Sequence, residues 1–211
     1  MRIIAGQYRG RRLSPLPHTS QTWLRPTSDR VKETLFQVLS HGRWVEGVGD
    51  QLLTDAVVAD LACGSGNLGF EALSRGAAHL ILLDQRVEAL QLARKNAQQL
   101  GCDPTSLSLL LGDLTKLPPA PRPCSILFLD PPYAPPHTKG LAAAALPQLL
   151  ARGWIAEAGA VVIAETGRTE ALPIPAPTDA QWQLVDERLI GETRLSFITV
   201  RHSLPSAEAG A

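Results

Sequence analysis

The 211-residue chain carries 20 basic and 20 acidic side chains, and its hydrophobic share of 45% is that of an ordinary globular protein. No apolar run reaches the roughly 20 residues that a membrane span needs, and the N-terminus turns polar too soon for a signal peptide. Three cysteines and five scattered histidines lack metal-ligand spacing, so we expect a cytoplasmic protein with neither a metal nor a membrane partner.

The charge is distributed unevenly along the chain. Residues 1–43 hold eight basic and two acidic side chains, whereas the remaining residues hold 12 basic and 18 acidic ones. Such a one-ended distribution is typical of phosphate binding, although a solvated basic arm would produce it too. We therefore predict a basic N-terminal extension over residues 1–43, a main domain over residues 44–201 and a flexible tail over residues 202–211.

The N-terminal extension predicts a hairpin followed by a helix. Residues 2–13 contain two short strand-like pieces around Gly6 and Gly10. Thr27 or Ser28 can cap a helix that ends at Gly42, with its apolar stripe on Val31, Leu35, Val38 and Leu39. Three charged residues lie off this stripe and are predicted to face outward: Arg30, Lys32 and Glu33.

From residue 56 onward, strands and helices alternate. Buried strands are predicted at 56–62, 79–84, 107–113, 125–130 and 159–165, and helices at 70–76, 86–101 and 138–153. Pro147 is expected to kink or divide the last helix. Residues 181–189 and 193–200 predict an antiparallel hairpin. The fold class is therefore α/β: a Rossmann-like seven-stranded sheet, mostly parallel, with a C-terminal antiparallel hairpin.

A ligand site is predicted at the carboxyl ends of the strands, where open parallel sheets bind their ligands. Four acids fall at or just past predicted strand ends: Asp60, Asp84, Asp113 and Asp130. The turn at 64–69 has the glycine spacing of a dinucleotide fingerprint, which fits a nicotinamide cofactor, S-adenosylmethionine or a purely structural turn. Asp84 stands where an acid usually takes ribose hydroxyls, and Asp113 is placed to accept from an adenine amino group.

The stretch from Asp130 to Tyr133, Asp-Pro-Pro-Tyr, favours methyl transfer over hydride transfer. Methylation of an exocyclic amine requires acceptors that restore the nucleophilicity of its nitrogen. The Asp130 carboxylate can accept one N–H and the Pro131 carbonyl the other, while Pro132 stiffens the turn. Tyr133 can stack an extruded base, which contributes about 1–3 kcal/mol. A proline-rich turn with a capping acid is the alternative interpretation.

These motifs resemble a known family. The stretches "DLACGSGNLGFEALSRGA", "ILLD" and "LDPPY" resemble class I S-adenosylmethionine-dependent methyltransferases that act on amino groups. The N-terminal "RIIAGQYRGRRL" and "LRPTSDRVKETLFQVL" and the C-terminal "ERLIGETRLSF" are similar to bacterial 16S rRNA (guanine-N2)-methyltransferases of the RsmD type. The resemblance runs from Arg2 to about Arg201. It departs from the family at Ala62-Cys63 and at Asn67, and we interpret Cys63 as a small buried residue rather than a nucleophile.

The resemblance implies roles for three groups of residues. Asp130, Pro131, Pro132 and Tyr133 would hold the target guanine. The residues implied for S-adenosylmethionine are Asp60, Ala62, Gly64, Ser65, Gly66, Asp84, Gln85, Asp113 and Leu114. Those implied for RNA are Arg9, Arg11, Arg12, Arg25, Thr27 and Arg30.

The implied partner is 16S rRNA within a 30S subunit or an assembly intermediate, and we expect a monomeric enzyme. Two alternatives remain open. An adenine-N6 methyltransferase could use the same Asp-Pro-Pro-Tyr corner, and only the N-terminal segment speaks against it. A non-catalytic RNA-binding assembly factor could retain the fold, although it would have no need of the glycine turn and the strand-end acids.

Overall fold

A computed structural model describes residues 1–15, 27–42, 52–132, 140–176 and 180–202. The helices are α1 (Asp29–His41), α2 (Asn67–Ser74), α3 (Val87–Leu100) and α4 (Leu141–Ala151). The strands are β1 (Val57–Leu61), β2 (His79–Asp84), β3 (Leu107–Leu111), β4 (Ile126–Leu129), β5 (Ala160–Gly167), β6 (Ala180–Ile190) and β7 (Thr193–His202). No helix in these ranges is long and apolar enough to cross a membrane.

The strands form one seven-stranded sheet in the order β3-β2-β1-β4-β5-β7-β6. The pairings from β3 to β5 are parallel, whereas β7 runs antiparallel to both β5 and β6. This topology confirms the predicted α/β fold with a C-terminal hairpin. The direction of strand addition reverses between β1 and β4, and a crevice for a ligand is expected at the carboxyl ends of these two strands.

The two faces of the sheet pack against different helices. In β4, Ile126 and Phe128 join the core formed with α1, α2 and α3, whereas Leu127 and Leu129 join the core formed with α4. Because successive side chains of a strand point to opposite faces, Asp60, two positions after Val58, faces the α1–α3 side. Asp130, two positions after Phe128, continues the same alternation and so also faces the α1–α3 side.

The first 13 residues form the predicted hairpin and dock on the main core. Arg2 and Arg12 make an antiparallel bridge, and the Ile3 amide donates to the Arg11 carbonyl at 2.9 Å. Ile3, Tyr8 and Leu13 are buried in the core shared with α1, α2 and α3. The hairpin is thus packed on the same face of the sheet as the strand-end acids. The boundary at residue 43 stays a prediction.

Two element boundaries differ from those predicted. α2 begins at Asn67, so Gly69 lies inside the helix and not in the turn. A Cβ on Gly69 would lie 2.7 Å from side-chain atoms of Leu80 and Leu82, so glycine lets α2 approach β2 closely. α4 continues past Pro147 to Ala151 and is not divided there. Its buried residues on either side of the proline, including Leu146 and Leu149, hold it against the sheet.

The prediction that Lys32 faces outward is wrong. Ser28 caps α1 and the apolar stripe is buried as predicted, but Lys32 is 0% exposed, while Arg30 and Glu33 lie on the surface. The Lys32 ammonium pairs with Glu71 of α2 at 3.4 Å and donates to Asn67 Oδ1 at 3.0 Å. Burial lowers the pKa of Lys32. The side chain turns inward because α2 supplies a buried carboxylate opposite it.

Candidate active site

Three of the predicted acids lie at the carboxyl end of the sheet on the α1–α3 face. Asp60 lies in β1, Asp84 ends β2 and Asp130 directly follows β4. Each one binds a group on that face: the Gly69 amide, the Gly64 amide and the Thr27 hydroxyl, respectively. The parallel register of β2, β1 and β4 therefore gathers three carboxyl groups around the crevice where the strand order reverses.

The turn between β1 and α2 requires glycine at Gly66. This residue has φ +80°, and a Cβ there would lie 2.5 Å from the Phe70 ring. Ala62 also adopts a positive φ of 69°, which is uncommon outside glycine and occurs at functional turns. The Gly64 amide donates to Asp84 Oδ2 at 2.9 Å, so the turn is fixed to the end of β2.

Asp60 is the most deeply buried acid of the site, with 2% of its surface exposed. Its Oδ2 accepts a 2.9 Å hydrogen bond from the Gly69 amide. Burial raises the pKa of Asp60 to about 7, and the neighbouring Asp130 and Asp84 carboxylates act in the same direction. Asp60 therefore both holds the first turn of α2 and contributes a titratable group close to neutral pH.

Asp84 is engaged by an arginine that sequence reasoning missed. Its Oδ1 accepts from the backbone amide of Arg86 at 3.0 Å and from the guanidinium Nε at 3.2 Å. Arg86 is two residues downstream of Asp84 and is partly exposed. The available sequence signal for this ion pair was an arginine shortly after the acid at the strand end. Ribose hydroxyls that bind Asp84 must share this carboxylate with Arg86 or displace its side chain.

Asp130 is fixed from the side of α1. The Thr27 hydroxyl donates to Asp130 Oδ2 at 2.5 Å, and Asn67 Nδ2 donates to the Thr27 carbonyl at 3.4 Å. Removal from water raises the pKa of Asp130 to about 6, while hydrogen bonds from Thr27 and Glu165 act in the opposite direction. Asp130 is thus ionised at neutral pH. Pro131 is buried beside it, Pro132 is partly buried, and Tyr133 lies outside the described residues.

The other predicted cofactor residues are more dispersed. Asp113 is exposed, and its Oδ1 accepts from the amide and hydroxyl of Thr115 at 2.8 and 2.9 Å. Leu114 and Ser65 are buried, whereas Gln85 is exposed at the end of β2. The pairing of Asp84 with Leu111 brings the residues after β3 beside those after β2. An adenine contact at Asp113 stays a prediction.

The predicted RNA-binding residues differ in accessibility. Arg9, Arg11, Arg12 and Arg30 are exposed, and Arg11 also donates to the Leu100 carbonyl and lies over the Tyr8 ring. Thr27 is buried, and its hydroxyl is directed at Asp130. Arg25 lies outside the described residues. The exposed arginines leave a surface that could contact phosphates, while Thr27 has a place inside the site.

Sequence reasoning also missed Glu165 and Asn96. Glu165 lies near the end of a buried run in β5, beside Asp130, whose pKa it lowers. Asn96 of α3 donates to the Ser65 carbonyl at 3.0 Å and so fixes the glycine turn from behind. A charged residue in an apolar strand was the available signal for Glu165. No sequence signal indicated Asn96, because a polar residue at that position of an amphipathic helix is ordinary.

Comparison with known proteins places the chain in a family. A family model named conserved hypothetical protein 95 matches residues 1–199. The chain belongs to this family. Among its relatives are two proteins named ribosomal RNA small subunit methyltransferase D, from Haemophilus influenzae and Escherichia coli. Each is 34% identical to the chain; the first match covers 90% of this chain and 89% of the relative, and the second 91% and 86%.

Solved structures agree with this assignment. A putative methyltransferase from Escherichia coli has a TM-score of 0.75 at 32% identity, covering 96% of this chain and 99% of that one. An RNA methyltransferase from Salinibacter ruber, solved with S-adenosyl-L-homocysteine, shares the fold with a TM-score of 0.58 at 16% identity. That match covers 86% of this chain and 97% of the other. The resemblance to the RsmD-type methyltransferases is confirmed, and with it the expected cofactor, S-adenosylmethionine.

The site of this family member suits that cofactor chemically. S-adenosylmethionine carries a sulfonium and an ammonium group, and the carboxylates of Asp84 and Asp130 supply negative charge that favours cations. By this criterion the residues of the crevice fit the cofactor.

Proposed function

We propose that the protein transfers a methyl group from S-adenosylmethionine to the exocyclic N2 amine of a guanine in 16S rRNA. Its relatives in two bacteria are named ribosomal RNA small subunit methyltransferase D, which supports the rRNA of the small subunit as the substrate. The choice of guanine N2 rests on the resemblance of the N-terminal hairpin and α1 segments to that family.

The observation that carries the proposal is the position of Asp130. Its carboxylate follows β4 at the crevice, on the same face as Asp60 and Asp84, and Thr27 fixes its Oδ2. A carboxylate in this position can accept one N–H of a substrate amine, and the Pro131 carbonyl can accept the other. The bound cofactor supplies the electrophilic methyl group. Asp130 and Pro131 orient the amine toward it and stabilise the positive charge that develops on the nitrogen.

A flipped base also requires a stacking partner and a way to hold the RNA backbone. Tyr133 is proposed as the stacking residue, which would offset part of the few kcal/mol, roughly, lost on extruding the base. The exposed Arg9, Arg12 and Arg30 are proposed to contact phosphates. Because one basic extension gives limited discrimination among rRNA sites, we propose that the substrate is presented within a 30S particle.

Transfer of labelled methyl groups tests the proposal. Undermethylated 30S particles and bare 16S rRNA are incubated with the protein and labelled S-adenosylmethionine, and the RNA is digested to nucleosides. We expect N2-methylguanosine, formed faster on 30S particles. Asp130→Asn should reduce the rate at least a hundredfold while RNA binding persists, because it removes an anionic acceptor that touches the amine.

Other products would identify the competing functions. N6-methyladenosine would show that the guanine assignment is wrong while leaving the methyltransferase chemistry intact. A wild-type protein that binds the particles but transfers no label would favour a non-catalytic assembly factor. Faster methylation of bare rRNA would contradict the proposed 30S substrate.

A further inference from the structure

Glu165 lies beside Asp130 on the neighbouring strand. In the parallel register of β4 and β5, Phe128 pairs with Ile163 and Leu129 pairs with Ala164. The next residues along the two strands are Asp130 and Glu165, so the register places the two carboxyl groups side by side, and Glu165 lowers the pKa of Asp130. Glu165 is 5% exposed and follows Val161 and Ile163 on the α1–α3 face.

Each carboxyl group has a threonine on its outer side. The Thr27 hydroxyl donates to Asp130 Oδ2 at 2.5 Å, and the Thr193 hydroxyl donates to Glu165 Oε1 at 3.3 Å. Both threonines are buried. The result is a row of four side chains, which we call the carboxyl row: Thr27, Asp130, Glu165 and Thr193. It crosses the end of the sheet from α1 to β7.

Two carboxyl groups side by side in a buried position are expected to share a proton, because two carboxylates repel each other and offer only acceptors. A pair that shares one proton carries one negative charge. Oε1 of Glu165 accepts from Thr193, so the shared proton would lie on the other oxygen, Oε2, which is buried.

We propose that Glu165 is the positioning residue of the amine site: it keeps its proton and donates a hydrogen bond through it to Asp130, so that the Asp130 carboxylate stays ionised and oriented for the substrate amine. This role rests on the proposed methylation of an amine at Asp130. Glu165 is not expected to touch the substrate, since Asp130 stands between it and the crevice that β1 and β4 form.

The surrounding charges are consistent with this assignment of the proton. Asp60 of β1 and Asp84 of β2 lie on the same face, and the Asp130 and Asp84 carboxylates raise the pKa of Asp60, so this end of the sheet disfavours further negative charge. Lys32 of α1 and Glu71 of α2 neutralise each other as an ion pair. β7 presents Thr193, which does not titrate. A hydrogen bond from Glu165 lowers the pKa of Asp130, as a donor to a carboxylate should.

Three variants test the inference. Glu165→Ala removes the donor, Glu165→Gln replaces it with an amide donor, and Thr166→Val is the matched control. Thr166 is a buried neighbour on β5 whose hydroxyl donates to the Glu170 carbonyl. Because Thr166 directly follows Glu165, its side chain points to the opposite face of the sheet. Its substitution therefore disturbs the same strand without touching Asp130.

We expect Glu165→Ala to lower kcat at pH 7 at least tenfold and to shift the acidic limb of the pH–rate profile upward by a measurable fraction of a pH unit. Glu165→Gln should recover most of the lost rate and keep the limb near that of the wild type. Thr166→Val should leave the limb in place. A limb that stays unmoved in Glu165→Ala, or a Gln variant as slow as the Ala variant, would overturn the inference.

A second readout separates this inference from the proposed function. The Asp130 carboxyl carbon is titrated by NMR in the wild type and in Glu165→Gln and Glu165→Ala without RNA. The pKa of Asp130 should rise only in the Ala variant, and an unchanged value there would refute the role of Glu165. If labelled transfer gave N6-methyladenosine while this shift was observed, the guanine assignment alone would fail.

Discussion

Thr27 and Asp130 lie 103 positions apart in the chain, yet the Thr27 hydroxyl donates a 2.5 Å hydrogen bond to Asp130 Oδ2. Thr27 stands just before α1, and its carbonyl accepts from Asn67 at the start of α2. One residue thus connects the proposed amine acceptor to the helix that begins at the glycine turn. We expect Thr27 to contribute to catalysis through Asp130, and its predicted contact with RNA stays a prediction.

Thr27→Val should slow methyl transfer without weakening cofactor binding. Loss of a hydrogen bond to a charged group costs about 1.5 kcal/mol or more, which is roughly tenfold in rate. The pKa of Asp130 should also rise above about 6, so that activity declines at a higher pH on the acidic side. Rates across pH and calorimetric titration with S-adenosylmethionine measure the two effects. Thr27→Ser retains the hydroxyl and should restore the rate; a Ser variant as slow as Val would contradict this prediction.

Asp60 predicts a pH dependence of the free energy of unfolding. Its pKa is about 7 in the folded protein and 3.8 in an unfolded chain, so between these values the folded state holds a proton that the unfolded state has released. The contribution of protonated Asp60 to the free energy of unfolding is fully present below about pH 4 and is lost progressively as the pH rises to 7. The total is on the order of 4 kcal/mol.

Asp60→Asn tests this dependence because asparagine keeps an acceptor for the Gly69 amide but does not titrate. Denaturant unfolding of both proteins at pH 4 and pH 8 gives the comparison. The variant should gain stability relative to the wild type by a few kcal/mol, roughly, over that interval. A difference that is equal at the two pH values would show that folding does not raise the pKa of Asp60.

Gly66→Ala should cost more stability than Gly140→Ala. Both glycines precede a helix, with φ of 80° at Gly66 and 78° at Gly140, so alanine meets a similar backbone penalty of roughly 1–2 kcal/mol at either site. Only at Gly66 would the new Cβ also press on the Phe70 ring, which adds about 1–3 kcal/mol. Urea unfolding without cofactor measures both. Equal losses would mean that the ring moves aside freely.

Lys32→Met should destabilise the fold by about 1–3 kcal/mol, because the buried Glu71 carboxylate loses its ammonium partner and keeps the Arg75 guanidinium, whose Nε lies 2.9 Å from Oε1. Arg30→Met is the control, since Arg30 lies two positions earlier on the exposed side of α1 and should change stability by less than about 0.5 kcal/mol. Urea unfolding at pH 7 gives both values. Similar small losses in the two variants would show that Glu71 is protonated or hydrated when Lys32 is removed.

Replacing Arg9 and Arg12 together by alanine should weaken RNA binding in a salt-dependent way. If each arginine contacts one phosphate, the slope of log affinity against log salt should fall by about 1.5–2. The control replaces Arg122 and Arg152, two exposed arginines near the amino ends of β4 and β5, opposite the crevice. Binding to 16S rRNA fragments at several salt concentrations measures the slope. An equal change in the control pair would indicate non-specific attraction.

The order of strands and helices was predictable because apolar runs, turn glycines and helix caps are local signals. The same signals placed Asp60, Asp84 and Asp130 at strand ends. Glu165 was not recognised, because its partner is fixed by the register of β4 and β5, which local patterns do not specify. Lys32 was assigned to the surface for a similar reason: a helical stripe describes one helix and contains no information about the carboxylate on α2.

The anchoring of the hairpin to α2 sets a limit on dissecting this protein. The amides of Ile4 and Ala5 donate to the two oxygens of Glu71, and the Lys32 ammonium binds both that carboxylate and the Arg2 carbonyl. Removing the N-terminal hairpin would therefore leave the buried Glu71 carboxylate without the two backbone hydrogen bonds that replace its hydration. Deleting the hairpin is therefore expected to destabilise α2, the helix that follows the glycine turn, so a truncated chain cannot test RNA binding by the hairpin separately from catalysis.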